Sequence, residues 1–330
     1  MTQSHFRSPV LVASSLKRAT PLLAALCCAL GTLLPSAPAS AHGFAGKRFF
    51  PATLATDDPF VADELSLPTV STRKTGGGGG PETVETSASL DFTKRITADF
   101  GIGFGATYLS LKPDGAQTQR GFNNFSTNVK YQFYKSDAHE TILSIGADWD
   151  IGGSGTRRIG AEAFSTVTPT LFFGKGLGDL PDSMKFLRPI ALTGSVGYAI
   201  PTRSRTTTID DDGNENIDRH PHVGKLGFAV EYSVPYLQSF VKDVGLREPF
   251  NRLIPLVEVS LQKPLDRGRG PTTGTINPGV LWAGKTVQFG IEAIIPINSK
   301  NGSKTGALMQ LHFFLDDLFP KSLGKPLFAN

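Results

Sequence analysis

The stretch Ile96-Thr97-Ala98-Asp99-Phe100-Gly101-Ile102-Gly103-Phe104-Gly105-Ala106-Thr107-Tyr108 alternates apolar side chains with Thr, Asp and Gly along its whole length. A period of two is the mark of a β-strand, whose successive side chains point to opposite faces. The pattern spreads outward from there. Toward the N-terminus, Val84, Ala88, Leu90 and Phe92 alternate with Glu85, Ser87, Ser89 and Asp91, and Lys94-Arg95 reads as the connecting turn. Toward the C-terminus the period returns at 128–134, 143–150, 192–200, 225–232, 257–262, 287–293 and 309–315, and more weakly at 162–174 and 275–283. A further strand at Glu64–Lys74, before the Gly76–Gly80 run, brings the number to about twelve, makes it even and places both ends of the strand array on the side of the short turns. Pro68 argues against that strand, because proline has no N–H to give a ladder.

The first 41 residues read differently. Arg7, Lys17 and Arg18 precede an apolar run from Leu22 to Leu34, and Ala39-Ser40-Ala41 supplies small residues at cleavage spacing. This is the layout of a secretory signal peptide. It carries three of the 33 basic residues and none of the 29 acidic ones, so the rest of the chain is near neutral and a nucleic-acid partner is not expected. Both cysteines, Cys27 and Cys28, lie in the leader, which removes disulfides, thiolate metal sites and thiol nucleophiles from the remainder. Past the leader no apolar run is long enough for a membrane helix.

Persistent alternation requires two environments along every strand, and a β-sandwich offers these as well as a barrel does. Three features favour a transmembrane barrel. The strands are long enough to cross a bilayer at a tilt. Their polar side is mostly Gly, Ser, Thr and Ala. Aromatic residues gather near strand ends on the apolar side, at Tyr108, Tyr131, Phe133 and Trp149, as in an interfacial girdle. The expected fold is therefore all-β, an antiparallel up-and-down transmembrane barrel. Its expected divisions are a signal peptide (1–41), an N-terminal periplasmic or plugging segment (42–63), the barrel (64–316) and a C-terminal tail (317–330). The connections 175–188 and 236–252 are long on the short-turn side and suit small helices. The lipid bilayer of the outer membrane, the outer-membrane assembly machinery and a small-molecule solute are the expected partners.

The leader, the cysteine-free remainder, the alternating strands and the asymmetric loops resemble a Gram-negative outer-membrane β-barrel. The stretch Glu64–Thr72 and the strand Tyr131-Gln132-Phe133-Tyr134, followed by a tight turn, are similar to transporter barrels of the MetA-pathway-of-phenol-degradation family. That resemblance implies passage of small solutes, apolar or aromatic ones among them. The chain departs from the usual barrel in its ending, since Asp316–Asn330 follows the last strand where a terminal aromatic residue is common.

If the apolar face meets lipid, the alternate residues line a lumen. Those expected to set its selectivity are Asp99, Lys130, Asp148, Glu231, Glu258, Glu292 and His312, with Glu85, Asp91, Asp150 and Lys225 beside them. The acidic excess favours cations and neutral polar solutes over anions. The bland reading of these charges is that they are solvated or paired within a filled barrel. Two other functions stay open: a non-conducting structural or adhesive barrel, and an outer-membrane lipid hydrolase, for which His139 and His312 are the candidate bases but show no serine and orienting partner at an outer rim. Metal sites are not expected. His42 is a lone terminal histidine, the Asp210–Asn216 loop breaks EF-hand spacing at Gly213 and Pro221, and His220 and His222 read as loop residues. No cofactor is expected. Gly76–Gly80 runs into Pro81 and lacks the context of a phosphate cradle.

Overall fold

The structure is a computed structural model that describes residues 43–76, 82–209, 213–267, 270–298, 302 and 304–328. The expected signal peptide, His42, Gly77–Pro81 and Asp210–Asp212 lie outside the described residues. The strands are β1 (Glu64–Thr75), β2 (Thr83–Arg95), β3 (Phe100–Pro113), β4 (Ser126–Ser136), β5 (Thr141–Asp150), β6 (Thr166–Gly176), β7 (Ile190–Pro201), β8 (Val223–Tyr232), β9 (Leu253–Pro264), β10 (Thr273–Ala283), β11 (Val287–Pro296) and β12 (Gly306–Phe314). Each pairs antiparallel with its neighbour in sequence, and β12 returns to pair with β1, placing Ala307 opposite Thr72 and Phe313 opposite Leu65. The result is a closed 12-stranded antiparallel barrel.

Closure follows from the alternation. Ile102, Phe104, Ile145, Leu171, Val196, Val257 and Ile291 point outward and stay exposed, which a water-soluble surface does not tolerate over a whole wall. Lipid accepts that wall, and only a sheet without edges satisfies its backbone there. No helix of the described residues is long and apolar enough to cross a membrane. Both ends of the barrel chain lie on the side of the short turns, which is the periplasmic side of such barrels. Exposed Tyr131, Phe133 and Tyr134 form part of the periplasmic girdle, and Tyr108, Phe122, Trp149 and Tyr198 part of the extracellular one.

Pro68 is accommodated by an irregularity. The register shifts between Ser66 and Thr69 and, on the facing strand, between Gln310 and His312, so the proline sits where the ladder is already interrupted. The two long periplasmic connections hold short helical turns at Asp182–Leu187 and Val234–Val241. Ser233 caps the second, its hydroxyl accepting from the Tyr236 N–H at 3.2 Å. On the outer side, the loop between β7 and β8 carries a small hairpin, Arg205–Ile209 with Glu215–Arg219.

One expected turn is displaced. Lys94 and Arg95 end β2 and the turn runs through 96–99, so Ile96 and Ala98 lie outside the strands. Asp63 explains this: it accepts from Lys94 Nζ at 2.6 Å, from the Arg95 N–H at 2.8 Å and from Arg95 Nε at 2.8 Å, which locks both cations in place. The C-terminal tail folds against the same corner, where Leu327 and Phe328 donate to the carbonyls of Arg95 and Ile96.

Candidate functional site: the barrel lumen

Several inward positions of the strands are glycines where the N-terminal segment meets them, and others, Ile142, Ile254, Leu256 and Leu281, pack on it. A Cβ placed on Gly290 would fall 2.6 Å from the Leu54 side chain, and one on Gly174 would fall 2.8 Å from Pro59. Residues 43–63 thus run inside the barrel against its inner wall. The segment begins with a two-residue hairpin, Phe44–Ala45 with Arg48–Phe49. Gly43 and Gly46 allow this turn, since both have positive φ and any side chain there would collide with the carbonyls of Phe50 and Asp137.

Inward-facing side chains from many strands hold the segment. Glu258 on β9, fully buried, accepts from the backbone N–H groups of Leu54 (2.7 Å), Ala55 (3.0 Å) and Thr56 (2.7 Å) and from the Thr56 hydroxyl (2.7 Å). Three successive amides converging on one carboxylate form an anion nest, here built around a side chain of the wall. Lys130 on β4 donates to the Asp58 carbonyl at 2.8 Å and pairs with its carboxylate at 3.3 Å. Gln288 on β11 donates to the Ala52 carbonyl at 2.7 Å, and the Ser144 hydroxyl on β5 donates to that of Pro59.

At the periplasmic mouth Arg48 is buried with Glu140, Nε to Oε2 at 3.1 Å, and also donates to the carbonyls of Arg188 and Pro189. Its guanidinium stacks on Tyr236, 3.9 Å from the ring centre. Tyr236 donates its hydroxyl to Glu140 at 2.9 Å. Burial, and then that hydrogen bond, pushes the phenol up to about 12, so it remains a donor at every physiological pH.

Toward the extracellular side the lumen changes character. Asp57, at the turn of the segment, is exposed, and Asp91 is exposed on the inner wall of β2. Asp148 and Asp150 on β5 are half-buried, and Asp57 lies within electrostatic reach of both Asp91 and Asp148. Lys225 on β8 is the neighbouring cation, acting on Asp148 and Asp150. An inward side chain that stays solvent-exposed marks open space, so this half is an acidic vestibule above the packed segment.

The expected lumen residues separate accordingly. Lys130, Glu231, Glu258, Glu292, Asp148 and His312 all face inward. Asp99 does not: with the turn displaced to 96–99 it is exposed there, its carbonyl accepting from the Gln132 N–H at 2.8 Å. Glu231 is buried at the segment level and accepts from the Thr193 hydroxyl at 3.4 Å. Glu292 is buried near Glu258. His312 is buried at the closing seam, where Nδ1 meets the Ser66 hydroxyl at 2.9 Å and Nε2 lies 3.3 Å from Glu64. That brings together a serine, a histidine and a carboxylate, but on the inner wall and under the Phe314 ring. The arrangement ties β12 to β1 across the irregular register; it does not face a lipid substrate.

His139 lies in an exposed turn beside Asp179. His220 and His222 have separate partners, Thr206 and Asp266, and the described residues hold no cluster of three metal-ligating side chains. The residues that sequence reasoning missed are Arg48, Asp57, Asp58, Asp63, Glu140 and Tyr236. A signal for the segment was present: Phe49-Phe50-Pro51 and Pro59-Phe60 are too apolar for a strand-free stretch left in water.

The fold and its apolar exterior define the class: an outer-membrane β-barrel. Among solved structures, the chain is similar to the COG4313 outer membrane channel from Pseudomonas putida F1, with a TM-score of 0.55 and 9% identity over 81% of this chain and 99% of that one. It also aligns with the NanC porin (TM-score 0.43, 10% identity, 75% and 98% covered) and with the β-domain of the Bordetella autotransporter BrkA (TM-score 0.46, 12% identity, 77% and 99% covered). At 9% identity the likeness to the COG4313 channel is one of fold. No protein-family model matches the sequence, and no curated protein matches it.

Proposed function

We propose that the protein is an outer-membrane channel for small solutes whose lumen is closed on the periplasmic side by its own N-terminal segment. The supporting observation is the division of labour within the lumen. The bulk filling the periplasmic half of the barrel belongs to a separate stretch of chain, held by bonds from Glu258, Lys130 and Gln288 and by packing on Ile142, Ile254 and Leu281. Displacing residues 50–60 from the nest at Glu258 opens a lumen lined by Ser, Thr, Gly, carboxylates and the apolar Ile142, Ile254 and Leu281, with Asp57, Asp91 and Asp148 favouring cations and neutral polar solutes at its entrance. The likeness to a solved outer-membrane channel supports the same reading, and the resemblance to the phenol-degradation barrels adds small aromatic solutes as the first to test.

A reversible crosslink tests it. The Gly227 Cβ position lies 3.2 Å from the Thr56 Cβ, near disulfide range, and past Cys28 the chain has no other cysteine. In the Thr56→Cys/Gly227→Cys variant, planar-bilayer recordings are expected to show no conductance when oxidised and discrete, cation-preferring steps after reduction. Equal conductance in both states would defeat the closure. Silence in both states, persisting with solute gradients, would instead support the non-conducting structural barrel.

A further inference from the structure

We propose that the outer face of the β3 hairpin is a binding site for a phosphorylated lipid of the outer leaflet. β3 continues past the girdle to Pro113 and pairs with a short strand, Gln119–Phe122, placing Tyr108 opposite Phe122 and Ser110 opposite Arg120. Because strand side chains alternate, Phe104, Tyr108 and Lys112 share the outward face with Phe122 and Arg120. The aromatic rings form one continuous column. Phe104 stacks on Phe125 with centroids 5.9 Å apart, Phe125 lies 6.0 Å from Phe122, and Phe122 meets Tyr108 edge-on at 5.2 Å. Phe104, Tyr108 and Phe122 remain exposed, so the column presents its flank to the bilayer.

Cations crown the column on its extracellular end. Arg120 stands one strand step beyond Phe122, and Lys112 one step beyond Ser110. The loop between β5 and β6 adds Arg158, whose Nε donates to the Arg120 carbonyl at 2.9 Å and holds its guanidinium at the same edge. Thr156 fixes this loop in place, its backbone N–H donating to the Phe122 carbonyl at 2.8 Å and its hydroxyl accepting from the Phe122 N–H at 3.2 Å. Lys112, Arg120 and Arg158 are exposed, and no ion pair among the described residues engages them. No acidic residue occurs in 100–112 or 119–127; the acids of the flanking loops are Asp114, Glu162 and Glu82, the last of which pairs with Lys74 at 3.3 Å.

An aromatic flank at membrane depth ending in three unpaired cations at the headgroup level is complementary to one kind of partner: acyl chains below, phosphate above. Arginine forks suit phosphate oxygens in particular. The folded protein in detergent, titrated with fluorescent bis-phosphorylated lipid A, is expected to bind it. Binding should weaken at least about tenfold for dephosphorylated lipid A and for the Lys112→Gln/Arg120→Gln/Arg158→Gln variant, given the contribution of each cation near an anionic surface. Heat-modifiable migration on gels checks that the variant barrel is folded. Equal affinity for the dephosphorylated lipid overturns the proposal using wild-type protein alone. Full binding by the folded variant overturns it as well. Competition by inorganic phosphate at lipid-like concentrations would show a bare anion site and no lipid site.

Discussion

The two halves of this lumen are built from the same strands and behave as different materials. In the periplasmic half, Arg48, Glu140, Ile142, Phe50 and Phe60 are buried like the core of a soluble protein, and Arg48, Lys94, Arg95 and Lys130 each pair with a carboxylate. In the extracellular half, the inward residues of the same β2 and β5 strands, Asp91 and Asp148, have access to solvent. The wall differs between them as well: the periplasmic half adds the inward Ile142, Ile254, Leu256 and Leu281, on which the second stretch of chain packs, while the extracellular half keeps small and acidic residues and no such stretch of the described residues covers it. A wall and the segment laid against it are matched in character.

The comparison breaks hardest at Arg48. Replacing it with Ala leaves Glu140 buried without its cation, a loss on the order of 3–5 kcal/mol. The expected outcome is a lower unfolding temperature of the heat-modifiable band together with faster proteolysis within 43–63; an unchanged cleavage rate would mean the periplasmic mouth is not what retains the segment. Glu258→Ala comes next. It leaves three amides and a hydroxyl without their acceptor, on the order of 2–3 kcal/mol after water from the vestibule has compensated part of the loss, or roughly 30- to 150-fold in the equilibrium between seated and released segment. Bilayer recordings should show open time rising accordingly, with Glu258→Gln intermediate because its amide keeps one acceptor oxygen. The smallest effect belongs to the open half. Asp91→Asn with Asp148→Asn should leave stability unchanged and lower the cation-to-anion permeability ratio a few-fold, read from the reversal potential in a salt gradient. A stability change there would show that the vestibule carboxylates are structural after all.

The wall was legible from residue order because its physics is local. Phe104 and Gly105 must face opposite ways whatever the rest of the chain does, and twelve such stretches with alternating short and long connections leave few topologies. The displaced turn at 96–99 shows where locality ends. Lys94-Arg95 looks like a polar turn until Asp63, far away in sequence, is placed beside it, and with that shift Asp99 leaves the lumen. Glu258 was legible as an inward carboxylate. Its partners were not, because they are backbone amides, which every residue but proline possesses and which leave no trace in composition. Arg48 and Glu140 were invisible for a related reason, being single charges in unpatterned stretches that meet only after the segment is seated.

The grip of Glu258 on main-chain N–H groups has a consequence for how this chain tolerates change. Two of its four bonds go to Leu54 and Ala55 whatever side chains those positions carry, and a third goes to the Thr56 amide in the same way. The latch recognises a bend in the chain and not its lettering. Position 55 is therefore free to drift in size and polarity, position 54 only among apolar side chains that still pack on Ile254, Leu256 and Leu281, while proline at any of the three positions strikes out a bond. Two barrels of this design can thus share the same closure and show almost no common spelling in the part that closes them.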